Sequence, residues 1–591
     1  MVTIGRRGRP RRGLRAASLA LCLALAACGQ TGPAPTATLG ASVPTATAGA
    51  SAATPTQALE ASATPPPTAL PTPTPSPTSF TIGLAELPGS LDPANALDRA
   101  GLIIARHLYD GLTAYEPGGT RPIPALAESW TIAPDALTWT FNLRPGVSFS
   151  DGTPVTAEAV RLNFERWLTA APPGHYSFWR AVFGGFAGEM DETGQPLSLI
   201  AAVTAPDLTT VVITLNRPEA TLANSLAMPS FGLVNPAAFA GGAGGALSSE
   251  LSAGAGPYVL SDASQPGLVR LARNHSYWNA AALAAGPDEL VFKTISDNTQ
   301  RLLALQTGEI GAMADVDPSQ YAEAASEARG THLVYDPPLS VLYLGFNQAH
   351  APWGNVDCRL AVSQALNRDQ YVAQYFPGDA QVANVMQPPA VWGYPAAGPA
   401  ITYDPAAAQA HWQACLTAET TVPVSMTLYV PPMPRAYLPD PAGLGAAVQA
   451  DLASLGITVT VMTPDWQTIW LPEVHSGRAD LFLLGWTGIN GDPDAFLCPL
   501  FCGLEAAFDA DETGRPIAPD DELLGLLQDA RTANTLPERE RLYAEAHARL
   551  AAVMPAVPLA YRQTAWAMRL EVLGYTPSPI DSFFGLVYQQ P

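Results

Sequence analysis

Positive charge is what this 591-residue chain has least of. Against 52 Asp and Glu stand 30 Lys and Arg, and Lys293 is the single lysine. The formal charge is −22, and it becomes about −28 once a leader carrying six arginines is removed. So acidic a body argues against nucleic acid or an anionic lipid surface as a partner. Cysteine is also scarce, at six residues, and the eight histidines are scattered. Cys498-Pro-Leu-Phe-Cys502 has no histidine close by, so the sequence offers no metal site and no cofactor is expected. Equally missing are a Gly-x-Ser-x-Gly elbow, a phosphate-binding Walker loop, His-Glu-x-x-His and a strand-borne G-x-G-x-x-G. No pair of carboxylates is singled out for acid/base work, so no catalytic residue is assigned. A secreted hydrolase is the minority reading, because a glycosidase needs only two placed carboxylates.

Long apolar runs are absent as well. The longest near the start, Ala16–Ala27, follows six arginines and is shorter than the roughly 20 residues that span a bilayer. A basic region followed by a short apolar one reads as a secretory signal over residues 1–27. Its end, Leu25-Ala26-Ala27-Cys28, has the form of a lipobox, which makes Cys28 the expected lipidated residue after cleavage. Gly29–Ser79 then contains Thr, Pro, Ala, Ser and Gly in abundance and not one aromatic residue. Such a segment cannot bury enough apolar surface to offset its ordering, so 28–79 is expected to be a disordered tether. With Cys22 in the leader and Cys28 lipidated, four cysteines remain for an oxidising compartment, and pairing follows. Cys358 and Cys415 sit on helices expected in one lobe and are predicted to pair. Cys498 and Cys502 are predicted to bridge within a loop.

What remains, Phe80–Pro591, exceeds the roughly 250–300 residues at which a single core stops growing, so more than one lobe is expected. Its clearest stretch is Pro124–Trp167. Trp139, Phe141 and Leu143 alternate with Thr138, Thr140 and Asn142, the two-residue period of a half-buried strand. Arg144-Pro145-Gly146 turns the chain, and Asp151-Gly152 makes a second turn. Thr156 is placed to cap a helix with an apolar face of Val160, Phe164 and Trp167. Further on, Val424, Met426, Leu428 and Val430 alternate as a strand. Val448, Leu452 and Leu455 mark a helix ended by Gly456, Ile457–Met462 is β-branched, and a helix near Gln467–Ser476 precedes a strand over Ala479–Leu484. Strands alternating with helices predict an α/β unit with a mainly parallel sheet. Ligands of such sheets sit beyond the carboxyl ends of the strands, here the loops Pro431–Pro439 and Gly485–Phe496.

Several of these stretches resemble the extracellular solute-binding proteins of peptide and nickel ABC transporters, family 5. The matching residues are Pro124-Ala-Leu-Ala-Glu-Ser-Trp130, Trp139-Thr-Phe141, Leu143-Arg144 and Asp151-Gly-Thr-Pro-Val-Thr-Ala157. Leu91-Asp-Pro93, Leu108-Tyr-Asp-Gly-Leu112, Gly254-Ala-Gly-Pro-Tyr258 and Arg273–Trp278 add to them. The resemblance implies a two-lobed α/β fold of the periplasmic-binding-protein type, hinged around a central ligand cleft. Its three-domain layout would place domain I at 80–105, 254–338 and 560–591, domain II at 106–253 and domain III at 339–559. It also implies a monomeric, exported, lipid-anchored receptor at the outer face of the cytoplasmic membrane, in a periplasm or on a cell surface. The expected partners are a small-molecule or peptide ligand and ABC permease subunits. A non-peptide solute such as an oligosaccharide or metal chelate in the same fold is the alternative, and a sensor or chaperone-like binder without a transport role is another.

The resemblance is sharpest at Gly485-Trp-Thr-Gly-Ile-Asn-Gly-Asp-Pro-Asp-Ala-Phe496, which is similar to the pocket segment Gly-Trp-Thr-Gly-Asp-Asn-Gly-Asp-Pro-Asp-Asn-Phe of dipeptide-binding proteins. It implies that Trp486, Thr487, Gly488 and Ile489 line the cleft, with Trp486 an aromatic wall and Gly89 admitting the ligand's backbone. Arg435 matches the arginine those relatives use for the peptide carboxylate. The aspartate that holds the peptide's ammonium in them is Ile489 here. A pocket that has lost its ammonium anchor favours N-blocked peptides, peptide-like acids or another small organic solute over free dipeptides. The alternative is that Asp492 or Asp494 takes over and ordinary peptides bind.

Overall fold

The computed structural model describes residues 78–169, 177–239, 254–395, 398, 400–416, 424–502, 520–579 and 587–588. The leader, Cys28 and the tether up to residue 77 lie outside the described residues.

Three sheets organise the chain. In the first, seven strands lie in the order Thr331–Tyr335, Ala565–Arg569, Ala312–Met313, Ser79–Leu84, Glu289–Thr294, Leu268–Arg273 and Tyr258–Asp262. Its strands come from the beginning, middle and end of the sequence, so the chain leaves this unit twice and returns twice. Phe80, Ile82, Leu290, Phe292 and Trp566, all without exposed surface, form its core.

The first excursion builds the second sheet, antiparallel throughout, in the order Ala127–Ile132, Thr138–Leu143, Thr210–Leu215 and Ile200–Thr204. The alternating strand buries Trp139, Phe141 and Leu143 on one face. Helix Ala157–Leu168 covers the unit with Val160, Phe164 and Trp167, and Thr156 caps it by accepting from the Ala159 N–H at 3.2 Å. Each such side chain contributes about 1.5–3 kcal/mol by leaving water.

The second excursion builds a six-stranded sheet in the order Ala380–Val382, Ala556–Arg562, Ser340–Phe346, Leu481–Thr487, Val424–Tyr429 and Ile457–Met462. The expected mainly parallel sheet is corrected here: only the last three strands run parallel, and the other pairings are antiparallel. The parallel part is the αβ alternation legible in the sequence. The antiparallel part is made by strands from distant segments, whose direction no local pattern encodes. Strand Ala556–Arg562 belongs to this sheet although it runs past residue 559, because Ala560 pairs with Leu342 and Ala560, Tyr561 and Arg562 pair with Val382, Gln381 and Ala380. Cys358 and Cys415 form a disulfide between helices Val356–Ala365 and Pro405–Cys415, and Cys498 and Cys502 form another. Cys498 lies within helix Asp494–Phe501 rather than in a loop, and Cys502 is the residue that ends that helix.

Candidate functional site

The three parallel strands deliver three loops to one edge. Strand Val424–Tyr429 leads into a segment stiffened by Pro431, Pro432 and Pro434, each with its φ preset. Arg435 and Leu438 exchange backbone hydrogen bonds at 2.9 Å in both directions, closing the segment into a tight turn. The turn holds the Arg435 guanidinium 3.9 Å over the ring of Trp466, which belongs to the loop after strand Ile457–Met462. Trp466 in turn stacks on Trp470 with ring centres 4.4 Å apart. Asp465 fixes that wide turn by accepting from the Thr468 N–H and hydroxyl at 2.9 and 2.7 Å.

Arg435 is 8% exposed, and its guanidinium makes no hydrogen bond or ion pair with any described residue. Burial lowers its hold on the proton from the usual arginine value, though an arginine stays charged throughout the working range. Its Nε is buried without a partner, and leaving part of a charged group unpaired on burial is costly. A planar guanidinium over an indole is preorganised to receive a carboxylate bidentately.

The third loop follows strand Leu481–Thr487. A Cβ on Gly485 would sit 2.1 Å from the Tyr437 ring, so glycine there lets the arginine-bearing turn lie across the strand. Trp486 is 6% exposed and its indole N–H donates to the Ala495 carbonyl at 2.7 Å. The structure places it in the core, where it secures the loop to the following helix. Thr487 is exposed. Gly488 is buried under Phe496, 2.1 Å from where its Cβ would be. Ile489 is half-buried against the core of the four-stranded unit, so it seats the loop on the other lobe. Gly89 is exposed, with no atom within 4 Å of a Cβ built on it.

Asp492 departs most from expectation. It is fully buried, and its two oxygens receive Arg539 Nη2 and Nη1 at 2.7 and 2.9 Å. Asp494 is paired likewise, with Arg531 Nη2 and Nε at 2.8 and 3.2 Å. Burial raises the Asp492 carboxyl above its ordinary range, and Arg539 opposes that shift. A carboxylate held this way has no free face for a ligand's ammonium, so the assignment of Asp492 to the ligand is corrected to a structural one. The same network crosses between the lobes. Arg539 Nη1 donates to the Ala220 carbonyl at 3.2 Å, Ala220 N–H donates to the Arg531 carbonyl at 2.8 Å, and the Tyr115 hydroxyl donates to the Asn490 carbonyl at 2.7 Å. Glu219 joins it 3.8 Å from Arg531 and is pushed up to about 7, chiefly by burial and then by Asp494.

The sequence reading omitted Trp466, Arg531 and Arg539. The Trp466–Trp470 spacing of four was a readable sign of a shared face. The two arginines come from helices 37 and 47 residues beyond their partners, and nothing local marks them.

Comparison with known proteins agrees with this architecture. Residues 121–507 match the family described as bacterial extracellular solute-binding proteins, family 5 middle. The dipeptide-binding protein of Escherichia coli K12 is 30% identical over 483 residues, covering 80% of this chain and 87% of that protein. The dipeptide-binding protein of Pseudomonas aeruginosa is 29% identical over 494 residues, covering 82% and 89%. Among solved structures, HbpA2 from Haemophilus parasuis superposes with a TM-score of 0.75 at 25% identity, covering 87% of this chain and all of the other.

Proposed function

Because the chain belongs to the bacterial extracellular solute-binding proteins of family 5, we propose that it captures a small peptide or peptide-like solute outside the cytoplasmic membrane and hands it to an ABC permease driven by a separate ATPase. The relatives bind peptides by name. The observation that carries the reading to this chain is the buried, unpaired Arg435 at the carboxyl edge of the parallel strands. A guanidinium with its Nε buried and unbonded and its stack already formed is a receptor for an acid, and nothing about it requires chemistry on the bound molecule. The two lobes, each with its own core, are the bodies a hinge would close around the solute.

Export and anchoring belong to the same proposal. Residues 1–27 are the leader, Cys28 carries the lipid, and the aromatic-free tether lets the receptor reach a permease. Among the described residues no helix is long and apolar enough to cross a membrane.

A thermal-shift screen of the purified body against dipeptides, tripeptides and small organic acids tests the reading. A ligand that binds only the folded form raises the melting temperature in proportion to the logarithm of its concentration over Kd. A saturable rise with at least one member of the panel is expected. Turnover of a panel member, or no rise anywhere in the panel at millimolar concentration, would overturn the reading.

A further inference from the structure

We propose that the molecule this cleft selects is an organic acid with an apolar body and no free ammonium group. The inference rests on reading the cleft as a solute site and narrows what enters it.

Charge comes first. The buried aspartates around the carboxyl edge each have a cation, and buried Glu219, which shares Arg531 with Asp494 at 3.8 Å, is pushed up to about 7 chiefly by burial. Asp492 is taken by Arg539 and Asp494 by Arg531. Asp379, which reaches the arginine-bearing turn through Arg562, receives that arginine's Nε and Nη2 at 3.0 and 2.9 Å, while Arg562 Nη1 donates to the Ala436 carbonyl at 2.5 Å. The remaining acids on these loops, Asp440 and Asp465, are exposed helix caps already accepting backbone N–H groups. An ammonium bonded to such a group in water gains little. Arg435, on the loop itself, is left with neither an acid nor a carbonyl among the described residues. A zwitterion entering here would satisfy Arg435 and strand its own ammonium, whereas a monoanion leaves no charge unmatched.

Apolar surface comes second. The two elements that build the guanidinium–indole stack each expose a large apolar side chain. Met433, two residues before Arg435, is 43% exposed, and Ile469, on the turn with Trp466, is 45% exposed. Single exposed apolar residues need no explanation. These two lie on the same segments as Arg435 and Trp466, which are otherwise fixed by proline, caps and stacking. Covering them with an apolar ligand body removes them from water at the moment the acid meets Arg435. The recognised chemistry is an acid beside a hydrocarbon or aromatic group, as in an N-acylated amino acid or blocked hydrophobic peptide.

Calorimetry with three probes tests this: the free dipeptide Ala-Phe, N-acetyl-Ala-Phe, and N-acetyl-Ala-Phe amide, which lacks the acid. The acetylated acid is expected to bind at least about 100-fold more tightly than the free dipeptide, and its amide not detectably. Met433→Ser and Ile469→Ser, both surface changes, should each weaken the acetylated acid by roughly tenfold with the melting temperature unmoved. Equal or tighter binding of the free dipeptide would overturn the selectivity while leaving the solute-binding function standing. So would an affinity for the acetylated acid that neither serine variant alters. Silence from all three probes, with a thermal shift from some other solute, would likewise sink the inference alone.

Discussion

Replacing Asp492 by asparagine isolates what its carboxylate does. The change keeps shape and one acceptor oxygen and removes the charge facing Arg539, whose side chain is 2% exposed. Breaking a buried ion pair from one side costs about 3–5 kcal/mol, because the partner's charge stays behind without compensation. Arg539 keeps the Ala530 carbonyl at 2.9 Å, the Ala220 carbonyl at 3.2 Å and the Tyr543 hydroxyl at 3.0 Å, so the lower end, about 3 kcal/mol, is expected here. For a cooperative unit of roughly 150–250 residues that is a fall of about 6–12 °C in melting temperature. Scanning calorimetry of Asp492→Asn measures it directly. The double variant Asp492→Leu with Arg539→Met should regain most of the loss, since apolar replacements of a buried pair are often neutral. An unchanged melting temperature together with a tenfold or greater loss of solute affinity would refute the reasoning and return Asp492 to the ligand.

Two further outcomes follow from the same geometry. Folded Glu219 holds its proton up to about pH 7, against an ordinary value of 4.5. Since the native form then binds more protons than the unfolded one, stability should fall as pH rises through that window and level off above it. Glu219→Gln should flatten the slope in denaturant titrations between pH 4.5 and 7.5, and an unaltered slope would discount this carboxyl. Gly485→Ala places a methyl 2.1 Å from the Tyr437 ring, an overpacking that costs about 1–3 kcal/mol. Because the displaced turn carries Arg435, affinity for an acidic ligand should drop alongside stability, and a variant with native affinity would show that the turn does not position the arginine.

Much of this is legible in the sequence. The alternation of Trp139, Phe141 and Leu143 and the Thr156 cap are local signals that tertiary context reinforces. The carboxyl-edge rule drew attention to the loops holding Arg435 and Gly485–Asp492, because parallel αβ units leave a short-range period in the sequence. Trp486 shows the limit of such reading: a motif marks a segment, yet whether its indole N–H faces solvent or the Ala495 carbonyl depends on the next helix. Asp492 shows it more strongly. Its role is set by Arg539, and a pair formed across 47 residues leaves no periodicity to find. Strand direction in the antiparallel half of the six-stranded sheet was hidden for the same reason.

The central claim is that Arg435 is the anion receptor of a solute-binding cleft, and native mass spectrometry of the protein purified from an export-competent host tests it most directly. Wild-type protein should carry a small-molecule adduct that methanol releases as an organic acid, and Arg435→Gln, melting where ligand-stripped wild type melts, should carry none. An adduct of the same mass and occupancy on both proteins would contradict the account.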